Sequence, residues 1–258
     1  MEKIFDSHSH YNDDVFIEDE KEVLQRIQRE GVGWVLNCGY DLKSSKKALA
    51  QAQENDFIYC SAGYHPQDAN RLTQENFDGI KELLQAPKNV ALGEIGLDYH
   101  YEDAPDKETQ KAAFVRQLEL AQSLSKPVII HTREAMEDTL NILKPFAHKL
   151  QGVIHCYSGS ADSCTELVKM GFYIGFTGVI TFKNARRAIE ALKVVPKNRL
   201  LLETDCPYMS PEPFRGKRCD SSLLHYTAQK MGEELGLSKD EVIKLTRENA
   251  MELFRINP

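Results

Sequence analysis

The chain has 258 residues, of which 41% are hydrophobic and 28% charged, and its formal net charge at pH 7 is −7. This length can enclose a large hydrophobic core, and the composition is that of an ordinary globular protein. The acidic balance disfavours tight, extended binding to duplex nucleic acid, because neutralisation of phosphates supplies most of that affinity. Binding of a strand end through a local site is still compatible with this charge.

The sequence contains no run of 18 apolar residues, so we expect no membrane span. The first residues, MEKIFD, lack the basic and apolar regions of a secretory signal, and we predict a cytoplasmic protein. The six cysteines show neither C-x-x-C pairs nor regular spacing. That pattern argues against both a disulfide framework and a structural zinc site.

Eight short apolar or β-branched runs predict strands. They span residues 3–6, 32–37, 57–61, 90–94, 127–131, 152–155, 172–176 and 200–205. Between them lie amphipathic stretches with apolar residues three and four positions apart, which predict helices at 19–30, 107–124, 133–147 and 183–195. Eight strand–helix units fit a (β/α)8 TIM barrel, with residues 1–258 as a single domain.

An open, doubly wound sheet is the alternative fold for alternating strands and helices. For dinucleotide binding it would need G-x-G-x-x-G after the first strand. The chain has DSHSHYND at that place, so the barrel is the better prediction.

Side chains that can bind metal follow five of the predicted strands. His8 and His10 are two positions apart, so on an extended segment both imidazoles point the same way. Four more such residues stand at later strand ends: Glu94, His131, His155 and Asp205. Reacting groups of this fold come from the C-terminal strand ends, so we expect all six on one face. Imidazoles with two carboxylates suit two divalent ions, such as Zn²⁺, Mn²⁺ or Mg²⁺.

Other polar residues near the same face are predicted to act on the substrate side. His65 ends the third predicted strand and is interpreted as a substrate-side group, because the other six already complete a two-metal shell. Further substrate contacts are predicted for Arg133, Ser158, Lys183 and Arg215. Arg133 is placed at a helix N-terminus, which favours phosphate. Glu203 is predicted to be a buried carboxylate that orients a ligand.

Six motifs occur in order along the chain: DSHSH at 6–10, AGYHP at 62–66, GEIGLDYH at 93–100, VIIHTREA at 128–135, GVIHCYSG at 152–159 and LLETDCPY at 201–208. With them the chain resembles the TatD family of metal-dependent deoxyribonucleases over essentially its full length. The resemblance implies a TIM barrel and a divalent-metal hydrolase that cleaves DNA phosphodiesters, with 3′–5′ exonuclease-like action. It also places the six residues above on the family's metal-ligand positions, with Glu94 bridging two ions.

The predicted catalytic residues are Glu94 and Asp205. His8, His10 and Asp205 would hold one ion and His131 and His155 the other, with Glu94 between them. Asp205 is also placed to accept a proton from the attacking water. The expected substrate is DNA, as single strands or strand ends, and the sequence indicates no obligate protein partner.

The chain departs from the family after PFRGKR at 213–218. Similar family members continue with Asn and an acidic–proline pair, whereas this chain has Cys219-Asp220-Ser221-Ser222. The loop after the eighth strand is expected to border the substrate. The departure should therefore affect specificity and leave the metal site intact.

Two other functions compete with the nuclease. One is hydrolysis of a small ester, lactone, amide or phosphotriester, or deacylation of aminoacyl-tRNA. Many binuclear hydrolases of that superfamily bridge their metals with a modified lysine, and Glu94 at the fourth strand weighs against this. The other is a non-enzymatic metal-binding protein, disfavoured because structural sites are typically closed shells of cysteine and histidine.

Overall fold

The structure, a computed structural model, describes residues 2–257. Eight strands alternate with helices along the chain. The strands are β1 (Ile4–Ser9), β2 (Val32–Cys38), β3 (Ile58–Ala62), β4 (Asn89–Asp98), β5 (Val128–Arg133), β6 (Gly152–Ile154), β7 (Tyr173–Phe176) and β8 (Leu200–Leu202). The α-helices are α1 (Glu20–Arg29), α2 (Leu42–Glu54), α3 (Gln74–Leu83), α4 (Lys107–Leu124), α5 (Met136–Leu143), α6 (Ala161–Lys169), α7 (Arg186–Val194), α8 (Leu224–Leu235) and α9 (Lys239–Phe254).

The strands form one parallel sheet that closes into a barrel. Each strand pairs with the next in sequence, in the order β1 to β8. Ser9 at the end of β1 forms a parallel bridge with Cys206, and the Asp205 amide donates to the His8 carbonyl (2.9 Å). The TIM barrel is confirmed. The doubly wound alternative is wrong, because the first and last strands meet and no crossover reverses the strand order.

Both faces of the strands are buried, which is why the strands appear as continuous apolar runs in the sequence. Val128 and Ile130 of β5 belong to the cluster that packs against the helices. Ile129 between them points to the opposite face and packs in the barrel interior. Leu253 and Phe254 at the end of α9 join that interior cluster. The C-terminal helix therefore completes the packing inside the barrel.

The predicted elements agree with the observed ones most closely at α4, followed by α1, whose bounds differ by one residue at each end. Helix α4 has the predicted bounds, and the side chain of Asp106 accepts from the backbone amides of its first turn. Helix α5 is shorter than predicted, at Met136–Leu143 instead of 133–147. Among the strands, the largest difference is β4, which continues to Asp98, four residues beyond the predicted end at 94. Its register shifts between Leu92 and Ile95, and Gly96 has a φ of +142°. A Cβ at Gly96 would lie 2.0 Å from the His131 carbonyl oxygen, so this stretch of β4 requires glycine.

Within residues 2–257, no helix is long and apolar enough to cross a membrane.

Candidate metal centre

The six side chains predicted as metal ligands converge at the C-terminal end of the barrel. His8 lies in β1 and His131 in β5, and the others are Glu94 in β4, His10 directly after β1, His155 directly after β6 and Asp205 after β8. All six are buried except His131, which is partly exposed. The barrel therefore brings together residues that lie as much as 197 positions apart in the chain.

Glu94 lies at the middle of the cluster and presents its two oxygens to different imidazoles. Its Oε2 is 3.4 Å from His8 Nε2 and 3.5 Å from His10 Nε2. Its Oε1 is 3.0 Å from His131 Nδ1 and 2.8 Å from His155 Nε2. One carboxylate thus faces two pairs of imidazole nitrogens, although His8 and His155 from different pairs also lie within reach of Asp205.

Asp205 completes the group that faces Glu94 Oε2. Its Oδ1 lies 3.6 Å from His8 Nε2 and 3.5 Å from His10 Nε2. Asp205 has a φ of 61°, an unusual left-handed conformation for a residue with a side chain. Its backbone amide is held by the hydrogen bond to β1 that closes the barrel. The closure therefore maintains the backbone conformation that aims this carboxylate.

We call His8, His10 and Asp205 with Glu94 Oε2 the first group, and His131 and His155 with Glu94 Oε1 the second group. In the first group, the donor atoms of His8, His10 and Glu94 lie within 4.8 Å of one another. In the second group, the same holds for the donor atoms of Glu94, His131 and His155. Imidazole nitrogens and carboxylate oxygens in this arrangement are able to coordinate a divalent ion.

Two of the imidazoles are oriented by partners on their far side. His131 Nε2 lies 3.2 Å from Asp98 Oδ2, and His10 Nδ1 lies 3.0 Å from the Cys38 carbonyl oxygen. Donation from these nitrogens leaves the lone pairs of His131 Nδ1 and His10 Nε2 facing the centre, as in many metal sites. Asp98 was not predicted from the sequence. It lies four residues after Glu94 on the same strand, and the predicted strand ended too early to show this.

The other two imidazoles, of His8 and His155, stack on each other. Their ring centroids are 4.0 Å apart and the planes are inclined by 11°. Glu203 is fully buried beside them, with Oε1 at 3.8 Å from His155 Nδ1 and accepting from the Cys156 amide. Burial raises the pKa of Glu203 to about 8. Gly175 makes room for this carboxylate, since a Cβ there would lie 2.2 Å from Glu203 Oε2.

The electrostatics of the cluster follow from burial and close opposite charges. Burial disfavours the charged form of Glu94, yet His155 and His8 hold the pKa of its carboxyl well below the ordinary value. Burial lowers the pKa of His8 to about 4. Burial also opposes protonation of His10, but hydrogen bonds to Asp205 and Glu94 raise its pKa to about 10. The cluster balances its buried carboxylates with positive charge, which a divalent cation would also supply.

A cavity of about 470 Å³ opens onto the centre. Beyond predicted residues, its lining includes Asp13, Tyr40, Gln67, Asp68, Asp98, Tyr101, Tyr208 and Met209. Most of these side chains come from loops after the strands, where no hydrophobic period marks a residue as facing the site. For that reason sequence reasoning missed them.

His65 lines this cavity but lies beyond the end of β3, which stops at Ala62. It caps a 3-10 helix at Pro66–Arg71, and its Nδ1 accepts from the Gln67 amide at 3.2 Å. Its Nε2 is 3.7 Å from Glu94 Oε1. His65 is thus close to the second group, and its role on the substrate side stays a prediction.

Arg133 also lines the cavity, but its predicted placement at a helix N-terminus was wrong. It is the last residue of β5, and α5 begins only at Met136, because the strand continues beyond its predicted end. Its Nη1 donates to the Tyr101 hydroxyl at 3.1 Å. Attraction of a phosphate at this position would therefore come from the guanidinium and not from a helix dipole.

The remaining predicted substrate contacts, Ser158, Lys183 and Arg215, are exposed, and they are absent from the described residues that line the cavity. The guanidinium of Arg215 lies 4.4 Å from the ring centroid of Phe182. Contact between these three residues and a substrate stays a prediction.

Comparison with known proteins shows the family to which the chain belongs. The family model described as "TatD related DNase" matches residues 5–255. The chain belongs to this family of metal-dependent hydrolases. The uncharacterized metal-dependent hydrolase YabD of Bacillus subtilis is 43% identical, with 98% of this chain and 100% of the relative covered.

Other relatives carry more specific names. The 3′-5′ ssDNA/RNA exonuclease TatD of Enterobacter lignolyticus is 37% identical, over 83% of this chain and 85% of its own. The crystal structure of the TatD homologue YjjV of Escherichia coli K12 matches with a TM-score of 0.92 and 29% identity, over 98% of each chain.

The segment that was predicted to differ from other TatD proteins, residues 219–222, is buried beside β1. Cys219 and Ser221 are 1% and 0% exposed, and Ser221 Oγ donates to Asp6 Oδ2 at 2.6 Å. The Asp220 carboxylate pairs with Arg26 of α1. The described residues that line the cavity include none of 219–222. The loop after β8 reaches the cavity through Tyr208 and Met209, whereas residues 219–222 anchor the loop to the barrel wall. Contact between this loop and a substrate stays a prediction.

Proposed function

We propose that this TatD protein is a two-metal nuclease that hydrolyses DNA phosphodiesters at a strand end. The arrangement of Glu94 carries the proposal, because its two oxygens face two separate sets of nitrogen donors at the base of an open cavity. Two divalent ions held by these donors would supply the usual means of hydrolysing a phosphodiester.

The donor sets fit this assignment. His8, His10, Asp205 and Glu94 would hold one ion, and His131, His155 and Glu94 the other. The donors are imidazoles and carboxylates without thiolate, a set suited to Zn²⁺, Mn²⁺ or Mg²⁺. His8 Nε2 and His10 Nε2 lie 3.0 Å apart, close enough to bind the same ion.

Bound ions would polarise the phosphoryl oxygens and lower the pKa of a nucleophilic water. The protein's own groups then have three tasks. Asp205 is the proton acceptor, since its side chain is 13% exposed to the cavity whereas His8 is wholly buried. Arg133 pairs with a non-bridging phosphate oxygen. Asp98 and the Cys38 carbonyl hold two imidazoles in fixed orientation.

The charge of the cavity favours a strand end over a duplex. Among the described lining residues, five carry carboxylates, and Arg133 alone carries a guanidinium or ammonium group. A duplex would bring many phosphates against these acidic walls. A single terminal phosphate can instead approach Arg133 and the ions that the centre would bind. The names of relatives as 3′-5′ ssDNA/RNA exonucleases support the same substrate class.

The test is cleavage of 5′-labelled single-stranded DNA by purified protein with Mg²⁺ or Mn²⁺. The variants Glu94→Gln and Asp205→Asn are compared with Glu119→Gln and Asp240→Asn, which change exposed carboxylates outside the cavity lining. We expect stepwise shortening from the 3′ end by the wild type and both controls. Both site variants and chelated protein should leave the label at full length.

Metal content, measured on the same samples by mass spectrometry, decides the negative result. Intact DNA in the presence of wild-type protein that carries two ions would refute the nuclease. The same centre would then be assigned to a small ester, lactone or phosphotriester, or to aminoacyl-tRNA, each of which can be assayed directly. Cleavage that persists in Glu94→Gln would instead indicate a contaminating nuclease.

A further inference from the structure

Two tyrosine rings are unusually exposed at the rim of the metal-centre cavity. Tyr101 is 45% and Tyr208 is 56% exposed, and both line the cavity. Exposed apolar groups that rim a cavity typically mark a binding surface, since a ligand that enters the cavity would cover them. Arg133 contacts Tyr101 through its guanidinium, and neither ring belongs to the predicted ligand set.

The topology places the two rings on opposite sides of the mouth. Tyr101 lies three residues after the end of β4, and Tyr208 three residues after Asp205, beyond β8. The fourth and eighth strands of a closed eight-stranded barrel are diametrically opposed. Tyr101 and Tyr208 therefore flank the cavity, with the metal centre below and between them.

Hydrogen bonds hold both phenols in place. Arg133 Nη1 donates to the Tyr101 hydroxyl at 3.1 Å, and its guanidinium carbon lies 5.2 Å from the ring centroid. The Tyr208 hydroxyl donates to Asp13 Oδ2 at 3.3 Å. Burial raises the pKa of Tyr208, and the Asp13 carboxylate adds to the rise through its charge and its hydrogen bond. The rings are thus positioned before a ligand arrives.

The acidic walls leave little else to bind a nucleotide beyond its phosphate. Five carboxylates line the cavity, and in the described lining Arg133 is the only permanent cation. Contacts along an extended backbone would therefore be repulsive. A base carries no charge and stacks on aromatic rings whatever its identity.

We propose that Tyr101 and Tyr208 form a base-binding subsite, in which the base of the substrate's terminal nucleotide stacks while its phosphate reaches the metal centre. This inference rests on the proposed nuclease function and adds the group by which a nucleotide is recognised. It requires an unpaired base, because a base held in a duplex cannot enter between the rings. The subsite is tolerant of sequence, since every base has a π face.

The test compares binding of two ligands to the metal-loaded protein by calorimetry. The ligands are deoxyadenosine 5′-monophosphate and 2-deoxyribose 5-phosphate, which share the phosphate and differ in the base. We expect the wild type to bind the nucleotide more tightly, by about 5- to 100-fold for one or two stacking contacts. Tyr101→Ala and Tyr208→Ala should each remove much of that difference and leave the sugar phosphate unaffected.

The conservative variants Tyr101→Phe and Tyr208→Phe keep the ring and should keep the preference for the nucleotide. Tyr226→Ala is the matched control, because Tyr226 is 43% exposed and lies in a different surface groove. Metal content and thermal unfolding show whether each variant is folded. If an alanine variant fails to fold, its phenylalanine and leucine counterparts give the same comparison of aromatic with aliphatic side chains.

Equal binding of the two ligands by the wild type would overturn the subsite, and so would alanine variants that keep the wild-type preference. Either result can coexist with cleavage of DNA by the wild type, which would leave the nuclease standing. Selective nucleotide binding without cleavage of DNA would overturn the nuclease and retain a nucleotide site. The two proposals therefore fail in distinguishable ways.

Discussion

The two donor groups of the centre are supported very differently. The first group is anchored by buried polar contacts, where Asp6 accepts from the Thr204 amide (3.0 Å), Thr204 Oγ1 (2.7 Å) and Ser221 Oγ (2.6 Å). The second group depends on Asp98 and on His131, whose side chain is 18% exposed. A buried, fully hydrogen-bonded network holds geometry more rigidly than contacts that solvent can reach. The first group should therefore be the tighter ion site and the second the more exchangeable one.

The largest effect should come from Glu94, which both groups share. Glu94→Gln removes the negative charge between them, so both sites weaken together and activity falls by more than about 100-fold. Ion stoichiometry after dialysis and the rate of DNA cleavage measure this. Loss of one ion alone would mean that Glu94 does not bridge the groups.

Asp98→Asn should separate the groups. Without a carboxylate to fix its tautomer, His131 binds the second ion about 10- to 100-fold more weakly, while the first ion is retained. Titration of the metal-free protein with the divalent ion, measured by calorimetry, should show one tight and one weakened site. The matched control is Asp68→Asn, which changes a cavity carboxylate that pairs with Arg71. Equal weakening of both sites would remove the distinction between the groups.

Ser221→Ala probes how the loop after β8 supports the first group. It removes a hydrogen bond to Asp6 and the contact between Ser221 Oγ and the buried Tyr11 hydroxyl (2.7 Å), while the backbone amide of residue 221 still donates to that hydroxyl. The free energy of unfolding should fall by about 1–3 kcal/mol. Urea unfolding of the metal-loaded protein measures this. Ser222→Ala, at the partly exposed neighbour, should change stability little. A Ser221 variant of wild-type stability would show that the network does not anchor β1.

The smallest effect is the dependence of DNA affinity on salt concentration. Among the described residues that line the cavity, Arg133 beside the second group is the one guanidinium or ammonium group that can contact a phosphate. One phosphate contact on a single strand predicts that binding weakens only about threefold between 50 and 200 mM salt. Arg133→Gln should flatten even that dependence. Fluorescence anisotropy of labelled single-stranded DNA, with Ca²⁺ replacing the catalytic ion, measures the slope. A slope several times steeper would indicate a basic track elsewhere on the surface.

Much of the fold was predictable from local sequence. The six predicted ligands lie at the C-terminal end of the barrel, as their positions at or after the strand ends predicted. Strands buried on both faces must be continuously apolar, so their number and order could be read directly. Because the strands are continuously apolar, histidines and carboxylates directly after them are easy to recognise as strand-end residues. The exception is Glu94, because glycines let β4 continue to Asp98 past the end that its apolar pattern suggests.

The sequence by itself determined the barrel, its family and the six side chains that meet at the mouth, since each is written in a local pattern or a short motif. Only the tertiary structure decided which residues support and surround them. Ser221 reaches Asp6 across 215 positions, and Tyr101 faces Tyr208 from the opposite side of the mouth. Closure of the barrel creates such contacts, and they have no periodicity in the chain, because loop residues are placed by the strands they connect and not by a pattern of their own.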